Sequence, residues 1–132
     1  MPIINLDEMF LRFIGTEIDL RTGKPKGIFT LAYDLIETNH LTVYEEELLK
    51  SLLKWFSGHL PIPNKFSKNK NSSHKNNITT AWFKDSAQEV MKKIWELKQI
   101  LESNEINVEI VRSEKPGYVI YEDDFQIIVD PF

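Results

Sequence analysis

Apolar and polar positions change period several times along this chain, and each change marks a predicted element. Met9, Phe10, Leu11, Phe13 and Ile14 form a short apolar run, broken only by Arg12 and closed by Gly15. A run of that length predicts a largely buried strand, because a helix needs more residues to make a stable turn pattern. Residues 21–27 (RTGKPKG) then read as a loop punctuated by Gly23, Pro25 and Gly27. From Ile28 the period becomes helical. Ile28, Leu31, Ala32, Leu35 and Ile36 fall on one face, and Asn39-His40 supplies the stop.

Thr42 with Glu45 three residues later is a capping box that opens a second helix. Leu48, Leu49, Leu52, Leu53 and Phe56 give its apolar stripe, and Gly58 fits the position just past its end. The short link between the two helices predicts an antiparallel pair. Pro61 and Pro63 close that block. Residues 65–77 (KFSKNKNSSHKNN) are nearly free of apolar side chains and read as an exposed loop within a single domain over residues 1–132.

Residues 78–83 (ITTAWF) are ambiguous between an extended piece and the start of the next helix. Asp85 with Gln88 offers a second capping box. Ala87, Val90, Met91, Ile94, Leu97 and Leu101 line a long helix that ends near Asn104, with Trp95 to one side. Alternation over residues 107–112, a turn at Lys115-Pro116-Gly117, and two apolar runs joined by Glu122-Asp123-Asp124 predict three strands in a meander. The expected order is β-α-α-α-β-β-β. This is an α+β fold, a mostly antiparallel sheet with the first strand joined to the meander and helices over one face.

Composition narrows the class. A chain of 132 residues with 42% hydrophobic side chains is long enough for one core without covalent staples. With no cysteine, disulfides and thiolate chemistry are excluded. The first eight residues carry no basic segment, and no apolar run reaches the about 18 residues of a membrane span. The expectation is a cytoplasmic protein with no membrane partner. Twenty acidic against 16 basic residues give a net charge of −4. That balance disfavours a duplex-DNA binder, which usually has a basic footprint.

Candidate chemistry is thin. Glu122, Asp123 and Asp124 are the densest carboxylate cluster, suited either to holding a cation or, more commonly, to forming a solvated hairpin turn. Lys84 follows Trp82-Phe83 before a predicted helix start and is placed to meet an anion, or is a plain surface charge beside two core aromatics. Lys24 and Lys26 sit in a glycine-containing loop, but the phosphate-loop spacing is absent. The basic residues of the 65–77 loop suit weak contact with a nucleic-acid backbone, or simple solvation. His40, His59 and His74 lack zinc spacing. Arg12, Arg112, Tyr121 and Gln126 either form a polar pocket on the sheet or lie on its solvent face, where alternation would send them. No catalytic residue, metal ligand or cofactor is assigned.

Gly27-Ile28-Phe29, Trp55-Phe56, Trp82-Phe83-Lys84, and the run from Pro116-Gly117-Tyr118 through Tyr121-Glu122-Asp123 and Gln126 to Pro131-Phe132 resemble a family of small, uncharacterised bacterial proteins. The resemblance spans most of the chain and implies a bacterial, cytosolic protein. It brings no catalytic residue with it.

Three functions follow as expectations. The first is a non-enzymatic accessory, adaptor or inhibitor that binds a protein partner through the acidic turn and the sheet face. The second is an enzyme or binding domain for a phosphate-bearing small molecule or nucleic acid, using Lys84, Arg12, Arg112 and Glu122. The third is a homo-oligomer that associates through a sheet edge.

Overall fold

The computed structural model describes residues 8–60 and 79–132. Among these, nine elements follow one another: β1 (Phe10–Asp19), β2 (Lys24–Gly27), α1 (Ile28–Glu37), α2 (Val43–His59), β3 (Thr80–Lys84), α3 (Gln88–Ser103), β4 (Glu109–Ser113), β5 (Gly117–Glu122) and β6 (Gln126–Pro131). The fold is α+β, as the periodicity predicts. The expected 65–77 loop lies outside the described residues.

Strand order is β2-β1-β3-β6-β5, with β4 also paired to β1, and the sheet is not closed. The β1–β2, β1–β3, β3–β6 and β5–β6 pairs are antiparallel. This corrects the expected meander. β5 and β6 form its hairpin, but β4 leaves them for β1, and β6 takes β3 as its second neighbour. The segment read as a loop at 21–27 also changes. Its last four residues pair with β1 as β2, after a turn in which Gly23 adopts φ 73°. Of the ambiguous stretch 78–83, Ile78 lies outside the described residues and residues 80–83 belong to β3, the strand between β1 and β6.

The chain divides into two compact units, each assembled from separate segments. In described residues, the first comprises 8–12, 79–91 and 112–132, and the second 13–60 and 92–111.

The second unit holds the two-helix block. Alternation in β1 buries Phe13 and Gly15. Gly15 lies so close to α1 that a Cβ there would stand 2.8 Å from Leu31 Cδ1, so glycine is the residue that lets helix and strand meet. The stripe Ile28, Leu31, Ala32 and Leu35 is buried. Asn39, just past α1, takes the left-handed φ of 62° that ends many helices. The Thr42–Glu45 capping box forms in full, with the Glu45 N–H donating to Thr42 Oγ1 at 3.1 Å. Phe29 at the start of α1 meets Phe56 near the end of α2, ring centroids 5.0 Å apart, which is the antiparallel arrangement expected. Gly58 lies inside α2 rather than beyond it; the helix continues to His59 and is capped at Leu60.

The first unit centres on β3 and β6. Leu11, Phe83, Ile127, Ile128 and Val129 are buried, as are Ala87 and Val90 where α3 begins. α3 starts at Gln88, so Gln88 is its first helical residue. The capping box expected from Asp85 needed it at the third. A turn closed by the Ala87 N–H donating to Lys84 O at 3.0 Å occupies that stretch instead.

Candidate functional site

Cross-strand register decides which candidate side chains share a face. Leu11 stands opposite Phe83, and Phe83 opposite Gln126. Trp82 stands opposite Ile127, and Ile127 opposite Glu122. Directly opposed residues share a face and neighbours along a strand alternate. Arg12, Trp82, Ile127 and Glu122 therefore form one cross-strand row. Lys84 lies on the same face, two residues beyond Trp82. Gln126 and Tyr121 belong to the opposite face, with Phe83 and Ile128.

The polar set Arg12, Arg112, Tyr121 and Gln126 is thus divided between faces. Gln126 is 3% exposed, and its Nε2 has no hydrogen-bond partner among the described residues. Arg112 is exposed on β4, which pairs with β1. Of the residues named for an anion reading, three do share a face. Lys84 Nζ reaches across β6 to Glu122 Oε2 at 2.6 Å, with the lysine side chain 13% exposed. The Arg12 guanidinium lies over the Trp82 ring, 5.8 Å from its centroid. Burial alone pulls the Arg12 pKa below its ordinary value.

The acidic turn is largely used by the hairpin itself. One oxygen of Asp123 accepts the backbone N–H groups of Phe125 at 2.8 Å and Gln126 at 3.0 Å, while the other accepts the Tyr121 hydroxyl at 2.7 Å. This is the local turn chemistry that favours Asp at such positions. Glu122 is engaged by Lys84. Asp124 alone of the three is exposed with no such contact. Lys26 is likewise committed, to Asp34 at 2.9 Å and Glu17 at 3.2 Å; those two hydrogen bonds raise its pKa against the effect of burial. Among the described residues, no three His, Asp or Glu side chains come together as a metal site. No described helix is long and apolar enough to cross a membrane.

Sequence reasoning passed over the strand that the structure leaves most exposed. β5 is the last strand of the order, paired to β6 alone among the described residues. Tyr118, Val119 and Ile120 on it are 65%, 52% and 44% exposed, and Phe132 is 75% exposed. Tyr118 and Phe132 pack edge to face, with centroids 4.7 Å apart. The pairing shifts between Val119 and Tyr121, leaving Ile120 as an extra residue in the strand. In the sequence these side chains look like core because their composition is that of a buried strand. Only the strand order shows that they are an edge.

Comparison with known proteins gives no family model, no curated protein and no solved structure that matches this chain.

Proposed function

We propose that the protein is a non-enzymatic protein-binding module, an accessory, adaptor or inhibitor, and that its contact surface is the β5 edge. The observation that carries this reading is the exposed Tyr118–Phe132 pair on an edge strand whose Val119 and Ile120 are exposed as well. Several large apolar side chains exposed on one strand are typical of protein interaction sites. Aromatic anchors such as the Tyr118–Phe132 pair supply much of the energy in such contacts. An edge strand also offers free backbone donors and acceptors to a partner strand. The irregularity at Ile120 twists the edge and discourages indiscriminate strand pairing, a device by which native sheets limit aggregation.

This reading moves the contact away from the acidic turn. Asp123 supports the hairpin, so changing it would damage the strand rather than test a partner. Asp124 remains available as a rim charge. A phosphate-bearing ligand needs several free cations together, whereas Lys84 is occupied by Glu122.

The test is capture of partners by tagged protein from its native host, compared with Val119→Lys and Asp124→Lys. A stoichiometric partner lost in Val119→Lys, with thermal stability unchanged, supports the proposal. Capture unaffected by Val119→Lys refutes the β5 surface. A concentration-dependent dimer in sedimentation, lost in the same variant, would assign the edge to a second copy of this chain.

A further inference from the structure

We propose that Arg12 and Trp82 form a binding site for a single carboxylate carried on an apolar or aromatic body. The starting point is an imbalance of charge on one face of the first unit. Arg12, Lys84 and Glu122 lie there. Lys84 and Glu122 neutralise each other at 2.6 Å. Arg12 makes no ion pair among the described residues; its guanidinium lies over the Trp82 ring. Arg12 is half-buried, so its guanidinium loses part of its hydration with no counter-ion among the described residues, which is costly. The π face of Trp82 offsets part of that cost, and a ring cannot satisfy five N–H donors.

The chemistry of the missing partner follows from these groups. A guanidinium fork pairs best with a planar carboxylate through two parallel hydrogen bonds. Arg12, Lys84 and Glu122 together carry one positive unit. A monoanion balances it, while a dianionic phosphate would leave excess negative charge near Glu122. The indole is held in place, since its Nε1–H donates to Thr80 Oγ1 at 3.3 Å. It offers a fixed flat wall against which an apolar or aromatic ligand body can lie. Arg12 is positioned by the β1–β3 register, in which Phe10 pairs with Lys84 and Leu11 with Phe83. The site is therefore built on strands and ordered before a ligand arrives, which lowers the entropy cost of binding.

The test is nuclear magnetic resonance of the arginine Nε–Hε groups. The sequence has three arginines, Arg12, Arg21 and Arg112, so Arg21→Lys and Arg112→Lys assign the signals. Benzoate, N-acetylphenylalanine and inorganic phosphate are the probes. The expected result is a saturable shift of the Arg12 signal with one or both carboxylates and no saturable shift of the other two. Tighter binding of N-acetylphenylalanine assigns the source as a peptide C-terminus, and tighter binding of benzoate as a free aromatic acid. Arg12→Lys keeps the charge but loses the fork and should weaken binding at least about tenfold, read from the Trp82 indole N–H signal. The proposal is overturned if the three arginine signals move together without saturation. It is also overturned if phosphate binds as tightly as the carboxylates, or if Arg12→Lys binds with unchanged affinity. The wild-type titration decides the first two outcomes even if the variant fails to fold.

Discussion

The Tyr121 hydroxyl donates to Asp123 Oδ2 at 2.7 Å, two residues along the same chain, and so ties the end of β5 to the turn that leads into β6. The same carboxylate accepts two backbone N–H groups through its other oxygen. Three donors thus converge on one side chain, and the hairpin register depends on it.

Asp123→Ala removes all three acceptor contacts and leaves the Phe125 and Gln126 amides without their partner. The expected loss is about 2 kcal/mol, the scale for charge-assisted hydrogen bonds in a partly buried turn. Asp123→Asn retains a carbonyl acceptor for the two amides and should recover most of the stability. Urea denaturation of the three proteins checks the order, and equal stabilities of Ala and Asn would refute the turn role.

The hydrogen bond to Asp123, then desolvation, then the carboxylate's charge raise the Tyr121 pKa above the ordinary phenol value. The folded state therefore holds this proton more tightly than the unfolded chain. Its stabilising contribution is fully present below the unfolded pKa of about 10 and is lost as pH rises through the higher folded value. In an ultraviolet titration, one of the four tyrosines should ionise last, and Tyr121→Phe should delete that late step.

The two tight glycines should respond differently to the same methyl group. At Gly15 the obstacle is the end of the Leu31 side chain, which can rotate. Gly15→Ala should cost about 1 kcal/mol. At Gly117 a Cβ would stand 2.5 Å from the Asp130 carbonyl oxygen and 2.9 Å from Pro131 Cα, both backbone atoms in the paired strand. Gly117→Ala should cost about 3 kcal/mol, and thermal denaturation should rank it well below Gly15→Ala.

Gln126 gives a prediction of the opposite sign. It is buried, and its Nε2 finds no acceptor among the described residues. Replacing it by methionine, similar in length and without a donor, removes an unsatisfied group and should stabilise the protein by about 1 kcal/mol. A clear loss in the variant would show that the amide is satisfied in solution.

The Lys84–Glu122 pair crosses a strand but ends on a half-exposed carboxylate. Glu122→Gln should therefore cost less than about 1 kcal/mol. Lys84→Ala should cost more than Glu122→Gln, because the lysine stem is itself largely covered. The same denaturation series in high salt should shrink the Glu122→Gln effect and leave most of the Lys84→Ala effect.

Local chemistry was sufficient for the sequence to determine the three helical stripes and the Thr42–Glu45 cap, though not the start of α3 or the end of α2. A stripe at helical spacing fixes which face of α1, α2 and α3 is buried. Thr42 with Glu45 fixes where α2 begins, because capping depends on four consecutive residues. Asn39 marks the end of α1 for the same reason. The β5–β6 hairpin was legible too, since a polar turn of three residues joins two apolar runs. Strand neighbours were not legible, because pairing between β1, β3, β4 and β6 links residues far apart in the chain. That tertiary choice put β3 in the centre of the order and β5 at its edge, and turned Tyr118-Val119-Ile120 from apparent core into exposed surface. It also sorted the polar candidates. Each strand alternates on its own, but only register across strands sets Arg12 beside Trp82 and sends Gln126 to the other face.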